Sequence, residues 1–299
     1  MARAYDARVT PGSISYEEAC LNELRNENGI VCVSMEIIPE DREAWAILVS
    51  WKKAVDGVPD ARAWNEAIES NLAQCRQKGA KIIDSRVITA NEGVSEALVT
   101  TRAAVHRGSL MAHGFERGED RVEYRLALDE ALAALEAGSI TGSLTWSCVD
   151  TDSDTESVRV AALFRQAAEG DPASHPDNDT LGFLKTLLED EEAVKAPERL
   201  QIGAFRGVPT AALALMANPS DGWSTIYYLG VLPTFRGRGF GAEAMLRGLR
   251  CLKAMGGRTY HDGTGSRNLA ARALFARLGR QPFRVMEEWR LEKQARLAG

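Results

Sequence analysis

Three glycines spaced by single residues stand out in the run Val231-Leu232-Pro233-Thr234-Phe235-Arg236-Gly237-Arg238-Gly239-Phe240-Gly241-Ala242. A β-rich segment precedes them and an amphipathic helix follows. Glycine lets the backbone approach a ligand without Cβ contacts, and the first turn of a helix presents unpaired N–H groups at the positive end of its dipole. Such a place binds phosphate. Arg236 and Arg238 add charge that can reach phosphate oxygens in charge-assisted hydrogen bonds. A second reading uses the same glycines. Gly237-x-Gly239-x-x-Ala242 fits a relaxed dinucleotide fingerprint, with Asp262 about where a ribose-binding acid belongs. In that fold the first glycine directly follows a parallel strand; here Pro233 to Arg236 intervene after an antiparallel meander, which favours the phosphate cradle.

Other chemistry is sparse. His106, His113, His175 and His261 show no metal-ligand spacing, so no metal site is expected. Cys20, Cys32, Cys75, Cys148 and Cys251 are scattered without a C-x-x-C pair and read as small buried hydrophobes. Tyr227, Tyr228, Tyr260, His261 and Asp262 are the polar side chains on the two strands beside the glycine run. Of these His261 titrates nearest neutrality, and unbroken alternation puts Tyr227 on the face of Leu229 and Val231. His261 and Tyr227 are therefore candidate catalysts.

The elements that must position these residues follow from periodicity. Leu144–Val149 reads as a strand, Thr155–Glu169 and Thr180–Asp190 as helices, and 200–205, 210–217 and 225–232 as an antiparallel meander. After the glycine run come a helix over Gly239–Met255, a strand over Arg258–Asp262, a helix over Asn268–Leu278 and a closing strand. The first 140 residues repeat this layout: a hairpin of Val31–Ile38 and Trp45–Trp51, a helix over Ala61–Lys78, a strand over Lys81–Ile88, and a helix opened by Asn91. A shift of 177 residues lays Gly79 on Gly256 and Asn91 on Asn268. Residues 1–140 and 141–299 are thus expected as two domains, the first a degenerate copy, since Pro59 to Trp64 stand where the second has its glycine loop.

Composition bounds the partners. The chain has 299 residues, 45% of them hydrophobic, with 36 Lys plus Arg against 42 Asp plus Glu, a net charge of -6. That is globular composition whose overall charge does not invite nucleic acid or an anionic membrane. With no apolar leader and no stretch near the roughly 20 residues of a membrane span, a cytoplasmic protein is expected.

The segment resembles the GNAT superfamily of acyl-CoA-dependent N-acyltransferases. Arg236, Gly239 and Gly241 match its Gln/Arg-x-x-Gly-x-Gly/Ala hallmark. Asn268, Ala271, Leu274, Phe275 and Gly279 match the Asn-x-x-Ala-x-x-Leu-aromatic-x-x-x-Gly helix that follows the splayed fifth strand. The match covers roughly residues 143 to 293. It implies an α/β (α+β) fold of tandem GNAT-like domains, each a mixed, mostly antiparallel sheet flanked by helices, with a splayed central strand pair.

The resemblance also implies acetyl-CoA as acyl donor. Its diphosphate would lie on Arg236, Gly237, Arg238, Gly239, Phe240, Gly241 and Ala242, its pantetheine arm along Leu229, Gly230 and Val231, with Asn268 and Phe275 at the arm. A small-molecule or peptide amine would attack the thioester directly in a ternary complex, and a second copy of the chain is a candidate partner. Two departures stand out: Phe275 lacks the hydroxyl that a family Tyr supplies to the leaving thiolate, and Thr225 stands where some relatives carry a Glu base. A non-catalytic acyl-CoA sensor is the alternative. The loop His261–Arg267 is a candidate lining of the acceptor pocket, and acidic clusters at Asp150–Glu156 and Asp177–Asp179 would favour a cationic amine.

Overall fold

The computed structural model describes residues 23–292, apart from residues 27–28, 41–42, 51–60, 78–79, 139, 141, 151–152, 171–183, 185–187 and 189–192; over residues 23–50 it describes the backbone alone. In chain order the elements begin with β1 (Glu23–Asn26), β2 (Gly29–Glu40), β3 (Glu43–Ser50), α1 (Ala61–Gln77), β4 (Ala80–Asn91), α2 (Glu96–Ala112) and β5 (Glu116–Ala127). They continue with α3 (Leu128–Glu136), β6 (Thr145–Cys148), α4 (Asp154–Ala167), β7 (Leu200–Phe205), β8 (Val208–Asn218) and β9 (Trp223–Val231). Last come α5 (Phe240–Ala254), β10 (Thr259–Gly265), α6 (Leu269–Ala276) and β11 (Arg284–Glu292). The elements form two compact units. Among the described residues, one is built on residues 23–122 together with 283–292, the other on Glu123–Pro282. This division and the expected one at residue 140 assign α3, half of β5 and β11 differently.

The unit that contains α1 orders its strands β1-β2-β3-β4-β11-β5. On α1, Trp64, Ile68, Leu72 and Cys75 recur at helical spacing and pack with Ile83 and Val87 of β4, Leu110 of α2 and Trp289 of β11. Burying each large side chain stabilises the fold by roughly 1.5–3 kcal/mol. Asn91 does not open a helix as expected. It still pairs with Arg284 in the β4–β11 ladder. After a turn at Gly93 with φ +77°, Ser95 caps α2 by accepting the Leu98 N–H at 3.3 Å.

The unit that contains α5 orders its strands β5-β10-β9-β8-β7-β6. Strands β6 to β9 are an antiparallel meander, and β10 runs parallel to β9. Helix α5 lies close on one face: a Cβ on Gly248 would meet Ile226 at 2.9 Å and Leu215 at 3.3 Å. Helix α4 covers the other, packing Val160 and Phe164 with Ile202, Ala212 and Ala214. Of the helix expected over Thr180–Asp190, most lies outside the described residues; Leu184 and Leu188 are helical, and Leu184 is buried.

Two irregularities shape the centre of this unit. Met216 faces Thr225 and Ala214 faces Tyr228, so Leu215 alone stands opposite both Ile226 and Tyr227. This bulge corrects the expected unbroken alternation. Ile226 points at α5, whereas Tyr228 stacks on Phe164 of α4 at 4.4 Å between ring centroids. The second irregularity is a splay. Strands β9 and β10 are in register only at Trp223–Thr259 and Ser224–Tyr260, and then part. The corresponding pair β3 and β4 stays paired from Ala44–Ala80 to Val49–Arg86, with one register shift between Ala44 and Trp45.

The two halves of the sequence trade their closing strands. Strand β11, which follows α6, pairs antiparallel with β4, while the later part of β5, which follows α2, lies beside β10.

Candidate functional site

The glycine run forms the connection from β9 to α5. Gly237 and Gly239 have φ of +76° and +87°, the left-handed region that other residues enter only with strain. Ala242 and Glu243 already donate to the Gly239 carbonyl, at 3.0 and 3.2 Å. The N–H groups of Gly237, Arg238, Gly239, Phe240 and Gly241 enter no backbone hydrogen bond among the described residues. Consecutive unpaired donors at a helix N-terminus, bent by left-handed glycines, make a concavity for an anion. Glu243, in the first turn of α5, is turned away. Its carboxylate accepts from Ser143 N and Leu144 N at 2.9 and 2.7 Å, and so clips the segment before β6.

A cleft of about 460 Å³ runs from this loop into the splay between β9 and β10. Of the expected binding residues, Leu229, Gly230, Val231, Arg236, Gly237, Gly239, Phe240, Gly241, Ala242, Asn268 and Phe275 line it, as does Tyr227. Arg238 and His261 do not line it. The Arg238 guanidinium lies over the Phe235 ring, 5.5 Å from its centroid. His261 is half-buried; Trp223 Nε1 donates to its Nδ1 at 3.3 Å, and the Glu123 carboxylate stands 3.8 Å from its Nε2.

Arg236 is a cation spent on the protein. Its guanidinium donates to the carbonyls of Val231, Ala167 and Glu169 at 3.0, 3.0 and 2.7 Å, tying the loop to the end of β9 and to the C-terminal turn of α4, where a cation complements the helix dipole. Close packing continues below the loop. A Cβ on Gly230 would come within 2.7 Å of both the Ala167 methyl and the Tyr228 ring. Tyr228 in turn donates its O–H to the Phe164 carbonyl at 3.0 Å. Asn268 caps α6, its Oδ1 accepting the Ala271 N–H at 3.0 Å.

On β10, Tyr260 and Asp262 project into the cleft together. The Tyr260 O–H donates to Asp262 Oδ2 at 2.7 Å, and the Gly263 N–H donates to Oδ1 at 2.7 Å. Burial, with the Asp262 carboxylate adding to it, pushes the Tyr260 hydroxyl well above the ordinary tyrosine range. Tyr260 is thus a neutral hydrogen-bond donor that fixes the carboxylate. At the other wall, Phe275 stacks on Tyr124 with ring centroids 4.5 Å apart. Burial raises the Tyr124 hydroxyl, partly offset by the Arg272 guanidinium that hydrogen-bonds to it. Sequence reading missed Tyr124 as a neighbour of the site. Its one signal in the sequence is the likeness of Glu123-Tyr124-Arg125-Leu126 to Glu288-Trp289-Arg290-Leu291 of β11.

Among the described residues no group of three or more His, Cys, Asp or Glu side chains is placed to hold a metal ion. Nor is any described helix long and apolar enough to cross a membrane.

Comparison with known proteins bears on the second half of the chain. Residues 164–279 match the model of the Acetyltransferase (GNAT) family. These residues form a GNAT acetyltransferase domain. The match spans the glycine loop, the splayed strands and α6, which together form the cleft walls. No curated protein sequence matches the chain. Solved structures similar to it include a GCN5-related N-acetyltransferase from Kribbella flavida, with 18% identity over 90% of this chain and 89% of that one, at a TM-score of 0.58. A tandem GNAT protein from the clavulanic acid biosynthesis pathway shares 15% identity over 90% and 81%, with a TM-score of 0.57. A GCN5-related N-acetyltransferase from Sphaerobacter thermophilus shares 16% over 88% and 77%, at 0.56. These likenesses establish the fold, tandem arrangement included.

Proposed function

We propose that the chain is a cytoplasmic N-acyltransferase that moves an acetyl group from acetyl-CoA to a small-molecule or peptide amine by direct attack in a ternary complex. The observation that carries this reading is the run of unpaired N–H groups from Gly237 to Gly241 at the head of a cleft that continues between β9 and β10. The amides would take the diphosphate without help from the Arg236 side chain. Past Ser224 the β9 edge is released from β10, so the Leu229–Val231 backbone is available for strand-like pairing with the pantetheine arm. The arm's thioester would then lie toward the apex of the splay.

There the amine nitrogen attacks the carbonyl carbon, with a backbone N–H of the β9 edge polarising the oxygen. The N–C bond forms, the C–S bond breaks and sulfur leaves with the electron pair. The nitrogen gives up one proton and the thiolate takes one, through water where no side chain reaches. The first half of the chain serves as a degenerate domain, with β3 and β4 paired where β9 and β10 part.

A sensor that holds acyl-CoA without turnover is the second reading, favoured by the missing hydroxyl at Phe275 and the missing carboxylate at Thr225. Release of free thiol from acetyl-CoA across a panel of amines separates the two. Release above the no-enzyme rate is expected, and micromolar acetyl-CoA binding with none would favour the sensor.

A further inference from the structure

We propose that Arg277 takes the ribose 3′-phosphate of the donor, so that the cleft prefers coenzyme A thioesters over their 3′-dephospho forms. The inference rests on reading the cleft as an acyl-CoA site. Two arginines line the cleft among the described residues, Arg236 and Arg277. The Arg236 guanidinium is committed to three backbone carbonyls. Arg277 is exposed, and among the described residues its guanidinium enters no hydrogen bond, ion pair or ring contact. Asp262, a carboxylate that also lines the cleft, forms no ion pair with it. Arg277 is thus the cleft arginine whose charge is left for a ligand.

Placement gives that charge its ligand. Arg277 caps the C-terminus of α6, the helix whose Leu274 packs against the head of α5: a Cβ on Gly241 would lie 3.5 Å from Leu274 Cδ1. Residues three apart share one side of a helix, so Arg277 follows Leu274 about 4.5 Å further along the axis. Ala270 and Ala273 line the same wall with methyl groups alone, which leaves room beside the helix. The guanidinium is therefore within side-chain reach of an anion seated next to Gly241. An acyl-CoA carries two kinds of phosphate. Its diphosphate is matched by the N–H groups from Gly237 to Gly241, a cradle complete without a side chain. Its ribose monoester carries roughly −1.5 to −2 charge near neutral pH and has no such cradle. A planar guanidinium meets such a phosphate with two parallel N–H donors.

The test is calorimetric titration of the full chain with acetyl-CoA and with acetyl-3′-dephospho-CoA, which keeps the diphosphate, arm and thioester. The wild type is expected to bind acetyl-CoA about tenfold more tightly. Arg277→Gln should bring the two donors within about twofold by weakening acetyl-CoA alone, whereas Arg277→Lys keeps part of the preference. High salt should narrow the wild-type ratio and leave that of R277Q unmoved. Arg280→Gln removes a nearby cation that is paired with Glu130 at 2.8 Å, and should leave the ratio as in the wild type. Equal binding of the two donors by the wild type overturns the inference, as does an unchanged ratio in folded R277Q or a ratio lost equally in R280Q. If R277Q does not fold, the wild-type ratio and its salt dependence decide. Failure of both donors to bind overturns the underlying reading instead; tight binding of both without discrimination overturns this inference alone.

Discussion

Arg236 donates to the Glu169 carbonyl at 2.7 Å, and so a residue of the glycine loop is fastened to the end of α4. The same guanidinium also reaches Ala167 and Val231, three carbonyls from one planar fork. A lysine ammonium is a point donor on a flexible stem and cannot span them. Arg236→Ala is expected to weaken acetyl-CoA binding and to lower stability by about 1–2 kcal/mol, and Arg236→Lys to recover little of either. Calorimetric titration and thermal melts of both variants check this. Full rescue by lysine would mean that charge alone matters at this position.

The glycines of the loop should separate in mutagenesis. Gly239 has φ +87°, where alanine carries about 1–2 kcal/mol of strain and must twist the amides that face the cleft. Gly241 has no such φ, and an added Cβ would sit 3.5 Å from Leu274, an ordinary contact. Gly239→Ala should therefore lose most acetyl-CoA affinity, while Gly241→Ala keeps it. Equal loss in both would point to direct filling of the anion site.

Gly230 marks a close approach. A methyl there would come within 2.7 Å of Ala167 and of the Tyr228 ring. Gly230→Ala should destabilise the fold by about 1–3 kcal/mol through overpacking and pull the Tyr228 hydroxyl off the Phe164 carbonyl. Melting curves, compared with Tyr228→Phe, read the two effects apart.

In the other unit His106 is buried beside Ser85 and Trp64, and burial pushes its pKa down to about 3. The folded state refuses a proton that the unfolded chain accepts below about pH 6.5. Stability is therefore fully present above that value and falls by up to about 1.4 kcal/mol per pH unit between about 6.5 and 3. Denaturant titrations across this window should show the slope. His106→Gln should flatten it, whatever its own stability.

A cut at residue 140, where the repeat suggests a boundary, should leave neither half folded. Residues 1–140 would lack β11, which pairs with β4 from Ile82 to Asn91; residues 141–299 would lack α3 and the β5 strand beside β10. Circular dichroism of each piece should show no cooperative melt, and mixing the two should restore one. A cooperative, acetyl-CoA-binding 141–299 piece would contradict the exchange.

The contrast between these sites explains what could be read in advance. The glycine loop, the cap at Asn268 and the stripes of α1, α4 and α5 are local, written in residue types a few positions apart. The partner of a strand is not: β11 has the same alternation whether it pairs with β10 or with β4. The bulge at Ile226 and Tyr227 is also silent in sequence, because the extra residue shows only against Leu215 across the ladder. This is why unbroken alternation fails for β9. On β10 alternation holds, with Tyr260 and Asp262 toward the cleft and His261 toward Trp223 and Glu123; which of the two sides is the cleft is not written locally.

The traded strands carry a consequence for biosynthesis. On the ribosome, β4 has been made long before β11 emerges, roughly 200 residues later, so the sheet begun by the early half stays unfinished while most of the polypeptide is still being produced. Contacts so distant along the chain make maturation slow and leave an open strand edge meanwhile. Such a nascent chain would depend on protection by chaperones until its last strand arrives.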